Sequence, residues 1–320
     1  MPTSTFKFYR SSDGSAPVLS GTASSLIALL DACLVTGYGS QTPPSPAWTK
    51  PFANAGNIGC WQQGAGAGLF LSVNDNAPGV GTFKEARMSG FETLSAVATG
   101  TGPFPTAAQG VGGVAMVVAR KSTTADATAR DWIVVADSST FYLFVLTGDT
   151  AATYHAFAFG DFYSLKSATD TYRCIIIGRS TENSGTASVD KLDALSVLNT
   201  VTAGHFVPRV SGGSGTSITV GKHGDATKGS ASALIGTVQF PNTPDTGMYL
   251  SPVWVCESAT STIRGRMRGF YHALHAIGSF TDQQTFVGAA DYLGRSFICF
   301  KSSGNSGVYM IETSATVETN

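Results

Sequence analysis

The sequence predicts a mainly β protein, with antiparallel sheets arranged as a sandwich or barrel and one short amphipathic helix near the N-terminus, at about residues 22–36. Two patterns predict this fold class. Short apolar segments recur between turns rich in Gly, Asn, Ser and Pro, which is typical of antiparallel strands. A helical apolar period is strong in one early segment only, so a helix-rich architecture is not expected.

The helix is predicted by the apolar period of the segment that starts at Thr22. Its apolar side chains fall on one stripe of a helix: Leu26, Ile27, Leu30, Cys33 and Leu34. Thr22 or Ser24 can accept a hydrogen bond from the first backbone N–H groups, and Gly37 can adopt the left-handed conformation that ends a helix. We expect Leu30 to be buried against the strands of residues 131–177.

The densest strand signal is a predicted hairpin, with residues 131–137 and 140–146 on either side of a Ser-Ser turn. Both segments are apolar on both faces, which places them at the centre of a sheet covered on two sides. Residues 154–159 and 172–178 complete the predicted core. Further strands are predicted at residues 5–10, 58–62, 68–73, 84–89, 113–120, 234–240, 248–254, 263–274, 295–301 and 308–312.

The predicted strands fall into two β-rich regions. Residues 1–200 form a domain that carries the helix, and residues 201–320 form a second region that either folds alone or belongs to the same domain. A second short helix is predicted at residues 189–198. Loops are predicted where Gly, Ser and Thr dominate, at residues 99–106, 210–217 and 221–230.

Composition and charge limit the kinds of partner that the protein is expected to have. Charged residues make up 13% of the chain, against roughly 25% in ordinary globular proteins, so Ser, Thr and Gly either form an exposed β surface or lie in contacts with neighbouring subunits. The net charge is −1 and the Lys and Arg residues are scattered in small groups, which does not favour a nucleic-acid partner. No apolar run is long enough for a membrane span and no signal core precedes the first strand, so we expect folding in a cytoplasm.

The five cysteines are far apart in the sequence. Their odd number favours a reduced compartment over a disulfide framework. Each has apolar or aromatic neighbours, and we therefore expect all to be unpaired core residues: Cys33, Cys60, Cys174, Cys256 and Cys299.

Chemical motifs are weak throughout the chain. The glycine-rich segment 64–68 lacks the lysine and the following helix of a phosphate-binding loop, so a turn at the start of a strand explains it better. His272 and His275 could share a metal ion, but no third ligand lies at a useful spacing and a structural role is favoured. We expect no catalytic residue, no bound metal and no cofactor.

Three aromatic residues beside loops are candidates for contacts with a partner: Trp48, Trp61 and Phe104. Large rings at such positions usually cover the edge of a core. In a protein that binds glycans, the same rings, together with Tyr154, would stack on a sugar. Both alternatives are open at the level of sequence.

A row of arginines is the candidate subunit interface. Arg264, Arg266 and Arg268 alternate with small or apolar residues, so a strand places all three guanidinium groups on one face. Such a row is repulsive unless carboxylates interleave, and a neighbouring subunit can supply them. The alternative is a solvated edge strand whose charges guard against aggregation.

Segments spread along most of the chain carry a family resemblance: residues 29–39, 47–52, 99–105, 121–130, 178–185, 263–269 and 310–314. They resemble a poorly characterised family of structural proteins from the virions of tailed bacteriophages and prophages. The resemblance implies a non-enzymatic virion protein, made in the cytoplasm of the bacterial host, whose partners are other virion proteins and copies of itself. The tail or tail-adhesion apparatus is the first expectation. The alternatives are a head-decorating or capsid-associated protein, or a host-adhesion module that binds a surface glycan.

Overall fold

The computed structural model of the protein describes residues 6–54, 57–76, 84–110, 113–146, 148, 154–166, 169–179, 203–211, 218–223, 239–257, 262–288, 292–302 and 307–314. The fold is mainly antiparallel β with one short helical segment, as the sequence predicts. A curled half-barrel sheet packs against a second sheet.

The strands are numbered in chain order. The first ten are β1 (Lys7–Arg10), β2 (Thr49–Asn54), β3 (Ile58–Gln62), β4 (Phe70–Asn74), β5 (Lys84–Ala96), β6 (Thr99–Phe104), β7 (Val117–Ser122), β8 (Trp132–Ala136), β9 (Thr140–Leu146) and β10 (Tyr154–Asp161). The others are β11 (Tyr163–Ser164), β12 (Cys174–Arg179), β13 (Ala203–Val207), β14 (Ile218–His223), β15 (Leu250–Glu257), β16 (Thr262–Ala273), β17 (Thr285–Val287), β18 (Ser296–Ser302) and β19 (Gly307–Glu312). Helix α1 (Ser25–Asp31) continues as a π-helical turn at Ala32–Thr36, and a 3₁₀ turn spans Ile277–Ser279.

The first sheet curls around helix α1. Its strand order is β2-β3-β4-β5-β7-β12-β10-β9-β8-β1, with β6 beside the far part of β5 and β13 beside β12. Leu30 of the helix is fully buried in a cluster that contains Leu71 of β4 and Val134 of β8. Strands from both halves of the sheet therefore contact one helix, and the predicted burial of Leu30 is confirmed.

The predicted central hairpin is also confirmed. The cross-strand pair Val134 and Leu143 belongs to the cluster around the helix, whereas the neighbouring pair Ile133 and Phe144 belongs to a cluster shared with the second sheet. Successive residues of a strand point to opposite faces, so a strand covered on both sides needs apolar residues at every position. This is why β8 and β9 lack the polar alternation of a surface strand.

The second sheet has the strand order β14-β15-β16-β19-β18-β17, with β11 beside the first half of β16. Phe144 of β9 stacks on Phe300 of β18 with 3.9 Å between ring centroids, which joins the two sheets. Strand β13 pairs with β12 of the first sheet, and β14 pairs with both β13 and β15. The strands after residue 200 thus contribute to both sheets, and the division into residues 1–200 and 201–320 stays a prediction.

The start of the helix differs from the prediction. Ser24 precedes α1 with a φ of 66° and makes no capping hydrogen bond. Instead, the backbone N–H of Leu26 donates to Oδ2 of Asp75 at 2.9 Å, and Lys121 forms a buried ion pair with the same carboxylate. The cap comes from a distant residue, which a local capping pattern does not reveal. Gly37 ends the helical segment with a positive φ of 80°, as expected, but its ψ of 173° differs from the left-handed helical conformation that was predicted.

Some predicted loops contain strands. Residues 99–104, predicted as part of a loop, form β6, because their backbone pairs with β5 although the side chains show no apolar alternation. Residues 221–223 belong to β14 for the same reason. The helix predicted at 189–198 and most of the strand predicted at 234–240 lie outside the described residues. All five cysteines are buried and none of them forms a disulfide, as predicted.

Candidate functional site

The arginine row lies in the first half of β16. The guanidinium groups of Arg266 and Arg268 both lie over the ring of Tyr163, at 5.4 and 4.9 Å from its centroid. That of Arg264 lies 5.5 Å from the ring centroid of Phe162. Gly265 permits this arrangement, because a Cβ there would meet the Phe162 ring and the Tyr163 carbonyl oxygen. The small residues between the arginines thus let a neighbouring strand come close, and that strand belongs to the same chain.

Arg264 is buried in a network of carboxylates. Its Nη2 lies 3.1 Å from Oδ1 of Asp170, and its Nη1 lies 3.0 Å from Oε1 of Glu257. It also donates to the carbonyl oxygen of Tyr172 at 3.1 Å. Burial by itself raises the pKa of Asp170, but the hydrogen bonds from Arg264 and Ser164 outweigh it and leave this pKa below its ordinary value. The network therefore favours the ionised form of Asp170.

Arg268 is anchored to the central hairpin. Its Nη2 forms an ion pair with Oδ2 of Asp137. The other oxygen of Asp137 accepts hydrogen bonds from the backbone N–H groups of Ser139 and Thr140, each at 2.8 Å, and so fixes the turn between β8 and β9. One carboxylate therefore connects the tip of the first sheet to a strand of the second.

The carboxylates that pair with Arg264 and Arg268 come from this chain and not from a neighbour. The sequence could not reveal this, because Asp170 and Asp137 lie far from β16 in the sequence. Arg266 is the partly exposed member of the row. A subunit boundary at the row stays a prediction.

The three candidate aromatic residues are core residues. Trp48 is 1% exposed and its Nε1 donates to the carbonyl oxygen of Asp137 at 2.8 Å. Trp61 is fully buried and its Nε1 donates to Oδ1 of Asp31 at 2.9 Å. Phe104 is fully buried as well. None of these rings presents a face to a sugar, which corrects their assignment as contact residues and leaves the role of core or lid.

An exposed β-arm is the feature that the sequence did not predict. We define the β-arm as residues 92–102, the outer parts of β5 and β6. The pairing of β5 with β4 ends at Phe91, and beyond it the described pairings of β5 are with β6 alone. Thr93 and Thr101 face each other across the arm, with 2.7 Å between their hydroxyl oxygens. Most residues of the arm are exposed.

The β-arm carries charge at its base only. The sequence has no charged residue between Glu92 and Arg120. Glu92 forms a bidentate ion pair with Arg209, with both N–O distances at 2.6 Å, which holds the base of the arm to the body of the protein. Exposed edge strands of soluble proteins are usually guarded by charged residues or proline. The arm itself contains no proline, and Pro103 directly follows its last residue.

The two histidines of the weak metal motif have separate structural roles. Nε2 of His275 accepts a hydrogen bond from the backbone N–H of Tyr249 at 2.8 Å, and Nδ1 donates to the carbonyl oxygen of Gln239 at 2.9 Å. The ring of His272 packs edge-on against Tyr309. Across the described ranges, no group of three or more potential ligands is placed to hold a metal ion. The described helices are too short to cross a membrane.

Comparisons with known proteins do not assign the chain to a family. No family model matches the sequence, and no curated protein matches it significantly. The β-arm and the internal ion pairs are therefore the features from which a function is inferred.

Proposed function

We propose that this chain is a non-enzymatic structural component of a tailed-phage virion, located in the tail or its adhesion apparatus. The observation that carries the proposal is the exposed β-arm of residues 92–102, which has no charged residue beyond Glu92 at its base. The resemblance of segments along the chain to virion proteins of tailed phages gives this arm a context. Its partner is a copy of the same chain or another virion protein.

The arm is suited to contacts between subunits. Its outer strand edges present backbone N–H and C=O groups that a neighbouring strand can pair with, in the way that peptides add to exposed sheet edges. Such pairing does not require complementary charge, which agrees with the absence of charged residues from the arm beyond Glu92. In a symmetric particle the same contact recurs for every copy, so an edge that is a liability in a monomer becomes covered.

The body of the protein is suited to a static role. Arg264 and Arg268 are used in ion pairs inside the chain, as are Asp137 and Asp170. One face of the central hairpin is covered by the apolar cluster around the helix, and the other by the cluster that joins the two sheets. Because these ionisable groups form internal ion pairs, they leave a surface dominated by Ser, Thr and Gly. Such a surface agrees with a protein that is covered by its neighbours.

The proposal is tested by placing a charge on the arm. Ala96 is exposed on the arm and Ala127 is exposed on a loop outside it, so Ala96→Lys and Ala127→Lys are a matched pair. We expect both variants to fold with wild-type thermal stability. Incorporation into particles is measured by complementation and quantitative mass spectrometry. We expect incorporation of Ala96→Lys to fall by roughly tenfold or more. The reason is that an unpaired lysine buried in the contact weakens binding by at least the free energy that corresponds to this factor.

Wild-type incorporation of Ala96→Lys would remove the support for the arm as an assembly contact. Equal losses in both variants would show that the effect is not specific to the arm. A head-decorating protein would use the same arm for its contacts. Electron microscopy of particles in which this chain is labelled distinguishes a position in the tail from one on the head.

A further inference from the structure

A cleft of about 210 Å³ opens at the end of the first sheet, beside the loop that precedes β17. Its polar lining comes from the end of β1 and the following turn, from the start of β8, and from the loop before β17. Arg10, Ser12, Asp131 and Gln283 provide charged, hydroxyl and amide groups. The opposite lining is apolar and includes Ile133 and Leu146. The cleft does not overlap the β-arm or the arginine row.

Arg10 is a cation in this cleft for which the described structure provides no oxygen acceptor. Its guanidinium carbon lies 4.5 Å from the ring centroid of Phe8, and its Nε is buried without a hydrogen-bond partner. By contrast, Arg264 and Arg268 each pair with a carboxylate. Buried polar groups are normally satisfied, so an unpartnered donor that lines a cleft indicates a missing acceptor. A carboxylate is the acceptor that fits a guanidinium best.

The floor of the cleft is held in place by hydrogen bonds. The hydroxyl of Tyr154 donates to Oδ2 of Asp282 at 2.5 Å and accepts from Nε2 of Gln283 at 2.5 Å. Burial, followed by the hydrogen bond to Asp282, raises the pKa of Tyr154 above its ordinary value, so the phenol remains protonated. Asp282 is fixed in turn by the backbone N–H of Lys301, at 2.9 Å. The cleft is thus preformed and need not be ordered when a ligand binds.

We propose that this cleft binds a small polyhydroxylated carboxylate, namely a uronic-acid residue of a polysaccharide. Arg10 pairs with the carboxylate, and Ser12 and Asp131 bond to the sugar hydroxyls. The apolar face of the sugar lies towards Ile133 and Leu146. A volume of about 210 Å³ suits one sugar-sized group better than an extended ligand.

The carboxylate of Asp131 favours an acidic sugar over an acidic peptide side chain as the ligand of the cleft. Its side chain is exposed in the cleft and accepts a hydrogen bond from the hydroxyl of Ser11 at 3.0 Å. A sugar hydroxyl can donate to this carboxylate. The side chain of a glutamate or aspartate has no hydroxyl group to donate to it. The proposal is independent of the assembly role, because it uses none of the residues of the β-arm.

The test is a titration of the full chain with glucuronate, followed by calorimetry and by ligand-detected NMR. Neutral glucose and N-acetylglutamate are the comparison ligands. Arg10→Gln removes the cation, and Lys7→Gln is the matched control, because Lys7 lies on the same strand, is bonded to Thr42 and does not line the cleft. We expect saturable binding of glucuronate, a loss of roughly tenfold or more in Arg10→Gln, and no change in Lys7→Gln.

Asp131→Asn is a second variant, which should bind glucuronate less tightly while it leaves the Arg10 cation in place. It keeps the test decisive if Arg10→Gln fails to fold. The proposal is overturned if glucuronate does not bind saturably, if both cleft variants bind it as tightly as the wild type, or if N-acetylglutamate binds equally well. Particle incorporation of these variants should be normal, so the binding site and the assembly role can fail separately.

Discussion

The central hairpin and strand β16 are both buried, but by different means. The hairpin of β8 and β9 is covered on both faces by apolar clusters, one around the helix and one shared with the second sheet. Strand β16 instead carries Arg264 and Arg268, each paired with a carboxylate from a distant segment. Loss of an apolar group costs stability in proportion to the cavity that remains, whereas loss of one charge leaves its partner buried and unpaired. The hairpin is thus stabilised by apolar packing, and strand β16 by buried ion pairs with distant segments.

The largest effect is expected at the buried arginine of β16. Arg264→Ala leaves the carboxylates of Asp170 and Glu257 buried without their cation, and we expect a loss of about 3–5 kcal/mol in the free energy of unfolding. Arg266→Ala is the control on the same strand, because Arg266 is partly exposed, and should cost about 1 kcal/mol or less. Urea denaturation measures both. Equal losses would contradict the distinction between the two arginines.

The helix face offers the apolar counterpart. Leu30→Ala should cost about 2–5 kcal/mol, because Leu30 is fully buried between the helix and the curled sheet. Leu30→Met conserves most of the volume and should cost less than about 1.5 kcal/mol. A loss below about 0.5 kcal/mol for Leu30→Ala in reversible unfolding would mean that the helix does not pack as described.

A pH-dependent effect is expected at His275. Burial lowers the pKa of His275, and its Nε2 accepts a hydrogen bond that only the neutral ring can accept. The unfolded chain therefore binds more protons than the folded one below about pH 6.5, and stability falls as the pH decreases through that region. His275→Gln should reduce the loss of stability between pH 7 and pH 5, measured by thermal unfolding. An unchanged pH profile would contradict the neutral assignment.

The smallest effect is expected at the base of the β-arm. Glu92 and Arg209 form a bidentate ion pair, but the Arg209 side chain is 33% exposed. Glu92→Gln should therefore cost about 1 kcal/mol or less, and the difference should decrease in high salt. A double-mutant cycle with Arg209→Gln measures the pair. A coupling as large as that of a buried pair would contradict the contrast between exposed and buried ion pairs.

The sequence predicts the parts of the fold that depend on local periodicity. The stripe of Leu26, Leu30 and Cys33 indicates both the helix and its buried face, and the unbroken apolar run of residues 140–146 indicates a strand covered on two sides. The capping of the helix by Asp75 could not be predicted, because the cap is a contact between residues distant in the sequence. The same limit applies to the ion pairs of the arginine row.

The candidate functional features were harder to predict than the fold. The β-arm was expected to be a loop, because the segment Thr99-Gly-Thr-Gly has no apolar alternation and its strand conformation comes from backbone pairing with β5. Arg10 lies in an ordinary strand pattern, and its significance comes from the acceptor it lacks. For the β-arm the informative property is a backbone pairing, and for Arg10 it is a missing hydrogen-bond acceptor. The pattern of side chains along the sequence encodes neither of them.

The most direct test of the assembly role is the copy number of this chain in purified phage particles, measured by quantitative mass spectrometry against labelled peptide standards. We expect several copies per particle, at a fixed ratio to the tail proteins, and a marked decrease in that ratio for Ala96→Lys. Absence of the chain from particles that are otherwise complete would contradict it.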